Sequence, residues 1–323
     1  MVIVGVDVSK ATLDLFVRPW NQAYRVSNNK TGFGQWLKQF TVLLETGSSV
    51  LVIMEHTGHY STRFEQFLQS EQIDYCKVAA LQIKRSLGVI RGKNDKIDGT
   101  RIADYGWIRR EQLSADEKVE QEIVELRQLL SLRNKMVKDR SGYLTRLKEM
   151  KVMGCCDSFQ ERIQKNTIQF LTRQISSIEN QIKRLIASNV DFKTTCELLQ
   201  SIKGIGWVIA ANMISSTVNF KRFKDARKFN CYAGLAPFNY QSGTSIKGRA
   251  RVSHLANKDL KTLLNLAACC SIRCDEEMKQ YYRKRVSEGK RKMSCLNIIR
   301  SKLVARMFAV VKRQTPYEQR LAA

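Results

Sequence analysis

The chain contains no continuous apolar run approaching the roughly 18–20 residues that a membrane-spanning helix requires, so no segment reads as a span. Its first residues, MVIVGVDVSK, carry no basic segment ahead of the apolar stretch and no small-residue cleavage site, and do not read as a signal peptide. Nine cysteines make an odd count, and none falls in a C-x-x-C pair. Histidine is scarce too, with only His56, His59 and His254. A structural zinc site needs closely spaced Cys/His pairs, which this pattern lacks. Reduced thiols in a cytoplasmic protein account for the cysteines more simply. Acidic charge is the other shortage: 30 Asp and Glu stand against 55 Lys and Arg, for a net charge of +25 and a pI near 9.9. An excess of that size points to a polyanionic partner, above all nucleic acid.

What is present suits two domains and a connector, since 323 residues exceed one ordinary domain and a 43% hydrophobic content supplies ordinary cores. Residues 2–8, VIVGVDV, form a β-branched apolar run that predicts a buried strand, and LDLFV at 13–17 predicts a second, so the chain opens as a hairpin. Helical spacing over 31–46 and 60–70, strands at 48–55 and 74–80, and a helix over 94–112 complete an α/β pattern for residues 1–112. Residues 113–193 differ. Val119, Ile123, Leu126, Leu130, Val137, Leu144 and Leu147 keep a 4-3 rhythm in which Arg133 and Arg140 take two slots. Ile168, Leu171, Ile175, Ile178, Ile182 and Leu185 keep it without interruption, and KVMGCCDSF (151–159) between them reads as a reversal. This predicts a coiled-coil hairpin or dimerisation arm, or else two amphipathic helices packing on their own domain. Residues 194–323 show no convincing strand pattern and read as helical, with a strongly basic tail.

In so basic a chain, carboxylates on apolar strands stand out. Asp7 sits between Val6 and Val8, where burial is costly unless a cation neutralises it. Glu55 ends VLVIME at the carboxyl edge of a strand, where open α/β sheets bind ligands. In KNDKID, Asp95 and Asp98 lie three apart at a helix start, a spacing that shares a face but also simply suits the helix dipole. Four converging carboxylates are the hard-oxygen set that Mg²⁺ chemistry on phosphates needs.

Farther along, K-G-I-G (203–206) between apolar stretches reads either as a hairpin offering amides to phosphate or as a plain helix–helix turn. Tyr281 and Tyr282 interleave with bases and suit either stacking on nucleic acid or a core. YQSGTSIKG (240–248) has the small, glycine-punctuated composition of a loop, followed by Lys247, Arg249 and Arg251, which suit phosphate contacts or a solvated face. Chemistry alone does not choose among Ser242, Thr244 and Ser245.

These motifs together resemble a known family. GVDVSK, E-H-T-G-H-Y and K-N-D-K-I-D are similar to the RuvC-like half of the DEDD transposases, insertion-sequence recombinases that include Piv-type DNA invertases. SIKGIGWVIAANMI (201–214), FKDARKFNCYAGLAP (223–237) and YQSGTSIKGRARVSHLANKDLKTLL (240–264) resemble the C-terminal transposase domain of the same family in order and spacing. The resemblance implies an RNase H-like first domain in which Asp7, Glu55, Asp95 and Asp98 hold Mg²⁺. It implies that Ser242 is the nucleophile, forming a covalent phosphoserine link to DNA. It further implies a structured noncoding bridge RNA that selects donor and target DNA, and a homodimer or homotetramer in which acidic site and serine can come from different subunits. His56 departs from the small residue usual after the glutamate; His56 and His59 read as polar neighbours of the site. The residues also leave open a metal-only nuclease of the RuvC type, and a nucleic-acid-binding protein without catalysis. Lys203, Gly204, Gly206, Lys247, Arg249 and Arg251 are the candidate nucleic-acid contacts.

Overall fold

The computed structural model describes residues 1–42, 48–56, 58, 60–86, 95–116, 119–154, 157–242 and 246–318; the side chains of residues 95–97, 240, 242, 246 and 247 lie outside that description. The chain divides into two compact units, Met1–Lys118 and Val119–Ala323.

The first unit is built on a five-stranded mixed sheet. β1 (Val2–Val8), β2 (Thr12–Arg18) and β3 (Gln22–Ser27) form an antiparallel meander, followed by α1 (Lys30–Thr41). β4 (Val50–Glu55) then pairs parallel with β1, and after α2 (Thr62–Ser70), β5 (Asp74–Val78) pairs parallel with β4. The order across the sheet is β3-β2-β1-β4-β5. α3 (Ala80–Ser86) and α4 (Asp95–Ile108) complete the unit.

Strand alternation explains the two cores. Val4, Val6 and Val8 of β1, with Val52 and Met54 of β4, face Phe33, Trp36, Phe40 and Phe64 of α1 and α2. Ile3, Leu51 and Ile53 face the other way, toward Ile83 of α3 and Ile102 and Tyr105 of α4. The sequence pattern misses β3 because only Tyr24 and Val26 pack against the core, both partly buried, among exposed residues.

α4 lies unusually close to the sheet. A Cβ on Gly5 would stand 2.2 Å from the Ala103 amide nitrogen and 2.6 Å from the Gly99 carbonyl oxygen; one on Gly99 would stand 2.9 Å from the Asp14 carbonyl oxygen. Backbone cannot give way cheaply here, so Gly5→Ala should destabilise the first unit by about 3 kcal/mol, near the upper end for overpacking. A thermal melt of the variant beside the parent checks this.

The second unit is mostly helical. α5 (Gln121–Val152) and α6 (Ser158–Ser188) pack side by side. Arg133 meets Glu179 at 2.7 Å, Arg140 donates to Thr172 at 3.5 Å and Lys151 meets Glu161 at 3.0 Å. Rising numbers on one helix pair with falling numbers on the other, so the helices run antiparallel. The two arginines in the apolar rhythm are thus answered across the seam. Near their outer ends these helices carry exposed Leu144, Val152, Phe159 and Phe170, while Ile123, Leu126, Leu130, Ile178 and Ile182 enter a large core. That core is shared with α7 (Val190–Gln200), α8 (Trp207–Thr217), α9 (Ala226–Tyr232), α10 (Lys258–Cys274), α11 (Glu276–Ser287) and α12 (Lys292–Arg313). The boundary expected near residue 193 therefore falls inside a continuous core, and the division observed is the one at Lys118.

One part of the helical expectation for 194–323 is corrected. β6 (Pro237–Ser242) and β7 (Ile246–Val252) form an antiparallel hairpin with a register irregularity between Phe238 and Tyr240. The described residues of this hairpin are largely exposed, so no alternation of buried and solvated positions marks the strands. The side chain of Asn297 on α12 holds its root by donating to the Leu235 carbonyl at 2.8 Å. Asn297→Leu should cost about 1 kcal/mol, the usual worth of one such bond, measurable by chemical denaturation.

Among the described residues, no helix is long and apolar enough to cross a membrane. The seven described cysteines, Cys76, Cys196, Cys231, Cys269, Cys270, Cys274 and Cys295, are thiols. Burial pushes the Cys76 thiol up to about 11, so it is a core residue and not a nucleophile.

Candidate functional site

In the first unit, three of the four expected carboxylates have described side chains. Asp7 alternates with the apolar Val6 and Val8, so its side chain leaves the sheet on the face that α4 covers. Glu55 follows Met54, which is paired in parallel register with Val6, so Asp7 and Glu55 end adjacent strands. Neighbouring strands lie about 4.8 Å apart. Both side chains are partly buried.

α4 brings the third. Gly99 approaches Asp14, which pairs with Asp7, while a Cβ on Gly106 would meet Ile53 and Ile3, farther back along the strands. The helix therefore runs opposite to β1, and its first turn lies at the level of the strand ends carrying Asp7 and Glu55. Asp98, Ile102 and Tyr105 follow i, i+4, i+7 spacing, and the last two are buried against the sheet. Asp98 is partly buried and held 2.8 Å from Arg101. Asp95 begins α4, and its side chain lies outside the described residues.

Among the described residues, no group of three or more His, Cys, Asp or Glu side chains is close enough to hold a metal ion. The carboxylates do fit a hard divalent cation in kind, since each donates anionic oxygen. Arg101 engages Oδ1 of Asp98, which leaves Oδ2 for a ligand role. His56 is exposed, with its backbone N–H bonded to the Val78 carbonyl at 3.0 Å, and His59 lies outside the described residues.

Sequence reasoning missed Asp14. It is 7% exposed, lies directly opposite Asp7, and meets Arg25 only at 3.7 Å. The signal that singled out Asp7, a carboxylate between apolar residues of a strand, applies equally to Asp14 between Leu13 and Leu15.

In the second unit, Ser242 ends β6 opposite Ile246; residues 243–245 lie outside the described residues, as do the side chains of Ser242 and Lys247. Arg249 and Arg251 are exposed on β7 and line a cavity of about 740 Å³ with Phe238, Asn239, Gly248 and Ser253. The K-G-I-G turn joins α7 to α8. Gly204 has φ of +95°, and a Cβ there would stand 2.9 Å from Ser271 of α10, so packing alone requires this glycine. Gly206 caps α8, and Lys203 beside them is exposed. Trp207 opens α8 with Lys183 over its ring at 5.0 Å and Arg133 at 5.8 Å. Tyr281 and Tyr282 are partly buried against the core, and Lys302 sits over the Tyr281 ring at 4.0 Å; of the two readings open from sequence, core packing is the one observed.

Comparison with known proteins places these two regions in the same company. Residues 4–150 match a transposase family of the DEDD IS110 type, and residues 196–283 match the IS116/IS110/IS902 transposase family. The pilin gene-inverting protein of Moraxella bovis is 25% identical over 327 aligned positions, covering 98% of both chains. The transposase for insertion sequence element IS1111A of Coxiella burnetii is 21% identical over 290, covering 81% of this chain and 75% of that one. An insertion element IS110 protein of Streptomyces coelicolor is 29% identical over 150 residues, covering 46% of this chain and 36% of the other.

Proposed function

Because the chain belongs to the IS110-type family of DEDD transposases, and is thus a DNA recombinase, we propose that it cuts and rejoins DNA with Ser242 as nucleophile and a carboxylate-bound Mg²⁺ in an RNase H-like first unit. The observation that supports this reading is that Asp7 and Glu55 lie near the ends of adjacent strands, on the face that α4 covers, at the level of the first turn of α4. The strand order β3-β2-β1-β4-β5, with two antiparallel and two parallel pairings, is consistent with an RNase H-like sheet.

In the first step, the Ser242 hydroxyl gives up its proton and its Oγ attacks a DNA phosphorus. The new Oγ–P bond replaces one P–O bond of the backbone, and the leaving oxygen takes up a proton. A phosphodiester is exchanged for a phosphodiester, so rejoining needs no external energy: a free DNA hydroxyl attacks the phosphoserine and returns Oγ to Ser242. Mg²⁺, when held by Asp7, Glu55, Asp95 and Asp98, would supply electrostatic stabilisation of the phosphate charge that develops. Asp7 and Glu55 hold fixed positions because β1 and β4 are locked in register, which is the preorganisation such a site requires. Lys203, Lys247, Arg249 and Arg251 would neutralise DNA phosphates, with Gly204 and Gly206 shaping the turn beside Lys203.

Donor and target choice belongs, in this reading, to a structured bridge RNA that pairs with each DNA, which the +25 charge suits. The antiparallel helices α5 and α6 would serve as a coiled-coil arm, whose exposed Leu144, Val152 and Phe170 suit assembly into a dimer or tetramer. Chelation provides the test. Adding EDTA to protein, RNA and matched DNA should stop strand cleavage while DNA stays bound, and excess Mg²⁺ should restore cleavage. Undiminished cleavage in EDTA would contradict the metal assignment.

A further inference from the structure

Phe238 is 51% exposed on β6 and belongs neither to the apolar core of the second unit nor to any ring cluster there. An aromatic ring left in solvent on a two-stranded hairpin contributes little to that hairpin's stability. Its surroundings are cationic. Arg251 is its cross-strand partner, so the two side chains share a face, and Arg249, at the register irregularity, lines the same cavity. The cavity they line holds about 740 Å³, within the range of small-molecule sites. Gly248 leaves the wall beside the ring open, Asn239 offers an amide, and no carboxylate lines the space.

A flat apolar ring and two guanidinium groups lining one cavity match one ligand chemistry: a base to stack on the ring and its phosphates to meet the arginines. We infer that Phe238, Arg249 and Arg251 form a subsite for an unpaired nucleotide of the DNA strand undergoing cleavage. This rests on the reading of Ser242 as nucleophile, because Ser242 lies four residues along the same strand, roughly 13 Å away at β spacing. A base splayed onto Phe238 would unstack the duplex within a few nucleotides of the attacked phosphate and fix its register on the hairpin. An exposed aromatic beside arginines also suits protein contacts, but the cavity's purely cationic charge and the family's DNA substrate favour a nucleotide.

The experiment uses the full chain carrying Ser242→Ala, so that no cleavage step enters, and reads binding by fluorescence anisotropy. The probes are a labelled single-stranded dT 12-mer, an rU 12-mer and a 12-base-pair DNA duplex. Phe238→Ala should weaken dT binding about tenfold, an effect of the size one stacked base gives, with duplex affinity within twofold. Phe238→Trp should restore dT binding. Arg251→Ala should weaken dT binding and lower its salt slope by about one. Unchanged dT affinity in Phe238→Ala overturns the subsite, as does an equal loss on duplex. Loss confined to rU overturns the assignment to DNA. A change of oligomeric state in sedimentation, with dT affinity intact, assigns Phe238 to a protein contact instead. Because adduct formation is never measured here, these outcomes stay separate from success or failure of the serine mechanism.

Discussion

Replacing Ser242 by alanine should abolish recombination, by about 10³-fold or more, as expected when a covalent nucleophile is removed. Binding of the DNA should stay within about twofold of the parent, since one hydroxyl among many phosphate contacts contributes little to affinity. Among the described side chains of that hairpin, which include Phe238, Asn239, Gln241, Arg249 and Arg251, none carries a hydroxyl or thiol. Ser242→Cys is a sharper companion variant. A thiolate attacks phosphorus poorly compared with an alkoxide in a site built for hard oxygen, so the cysteine variant should also lose cleavage, while binding and melting temperature remain those of the parent. Gel assays of strand cleavage and exchange, with anisotropy for binding, read both effects.

Changing Asp7 to asparagine should lower the cleavage rate by about 10³-fold, roughly 4 kcal/mol of transition-state stabilisation, and should not destabilise the fold. The second half of that expectation comes from the strand register. Asp7 faces Asp14 across β1–β2 and has Glu55 at the end of the neighbouring strand. Carboxylates placed directly opposite one another repel and cost stability. Asparagine keeps the shape and removes one charge, so the melting temperature should hold or rise as activity falls. A structural carboxylate would behave the other way, with stability and activity falling together. Repeating the change at Asp14 separates the two positions: Asp14→Asn should retain cleavage if only Asp7, Glu55, Asp95 and Asp98 bind the metal. Comparable loss there would add Asp14 to the site.

The first unit was largely legible in the sequence because burial leaves a mark. VIVGVDV, VLVIME and DYCKV are apolar on both faces or nearly so, and each is a strand in the sheet. Glu55 and Asp7 were conspicuous for the same reason, being charges inside apolar runs. Elements with little buried surface left no mark. β3 is a largely exposed edge strand, and the β6–β7 hairpin carries polar and basic residues on solvent-facing positions, so neither showed a strand pattern. The heptad rhythm identified two long helices but did not reveal that their inner ends enter the same core as α7 to α12, because an apolar stripe is the same whatever covers it. Gly5 and Gly99, which let α4 lie on the sheet backbone, were invisible without the register that brings them together. Ser242 was distinguished from Thr244 and Ser245 by family resemblance alone, and Phe238 by nothing, since an aromatic residue in an extended segment reads first as core.

The central claim, that DNA is cut by forming a bond to Ser242, has a direct measurement. Wild-type protein is incubated with Mg²⁺, its noncoding RNA and matched DNA, then denatured, digested with nuclease and protease, and analysed by mass spectrometry. The expected result is a nucleotide mass on the peptide containing Ser242, absent from Ser242→Ala and much reduced in Asp7→Asn. Cleaved DNA with free ends, alongside an unmodified Ser242 peptide, would contradict it and indicate attack by water at a metal-only site.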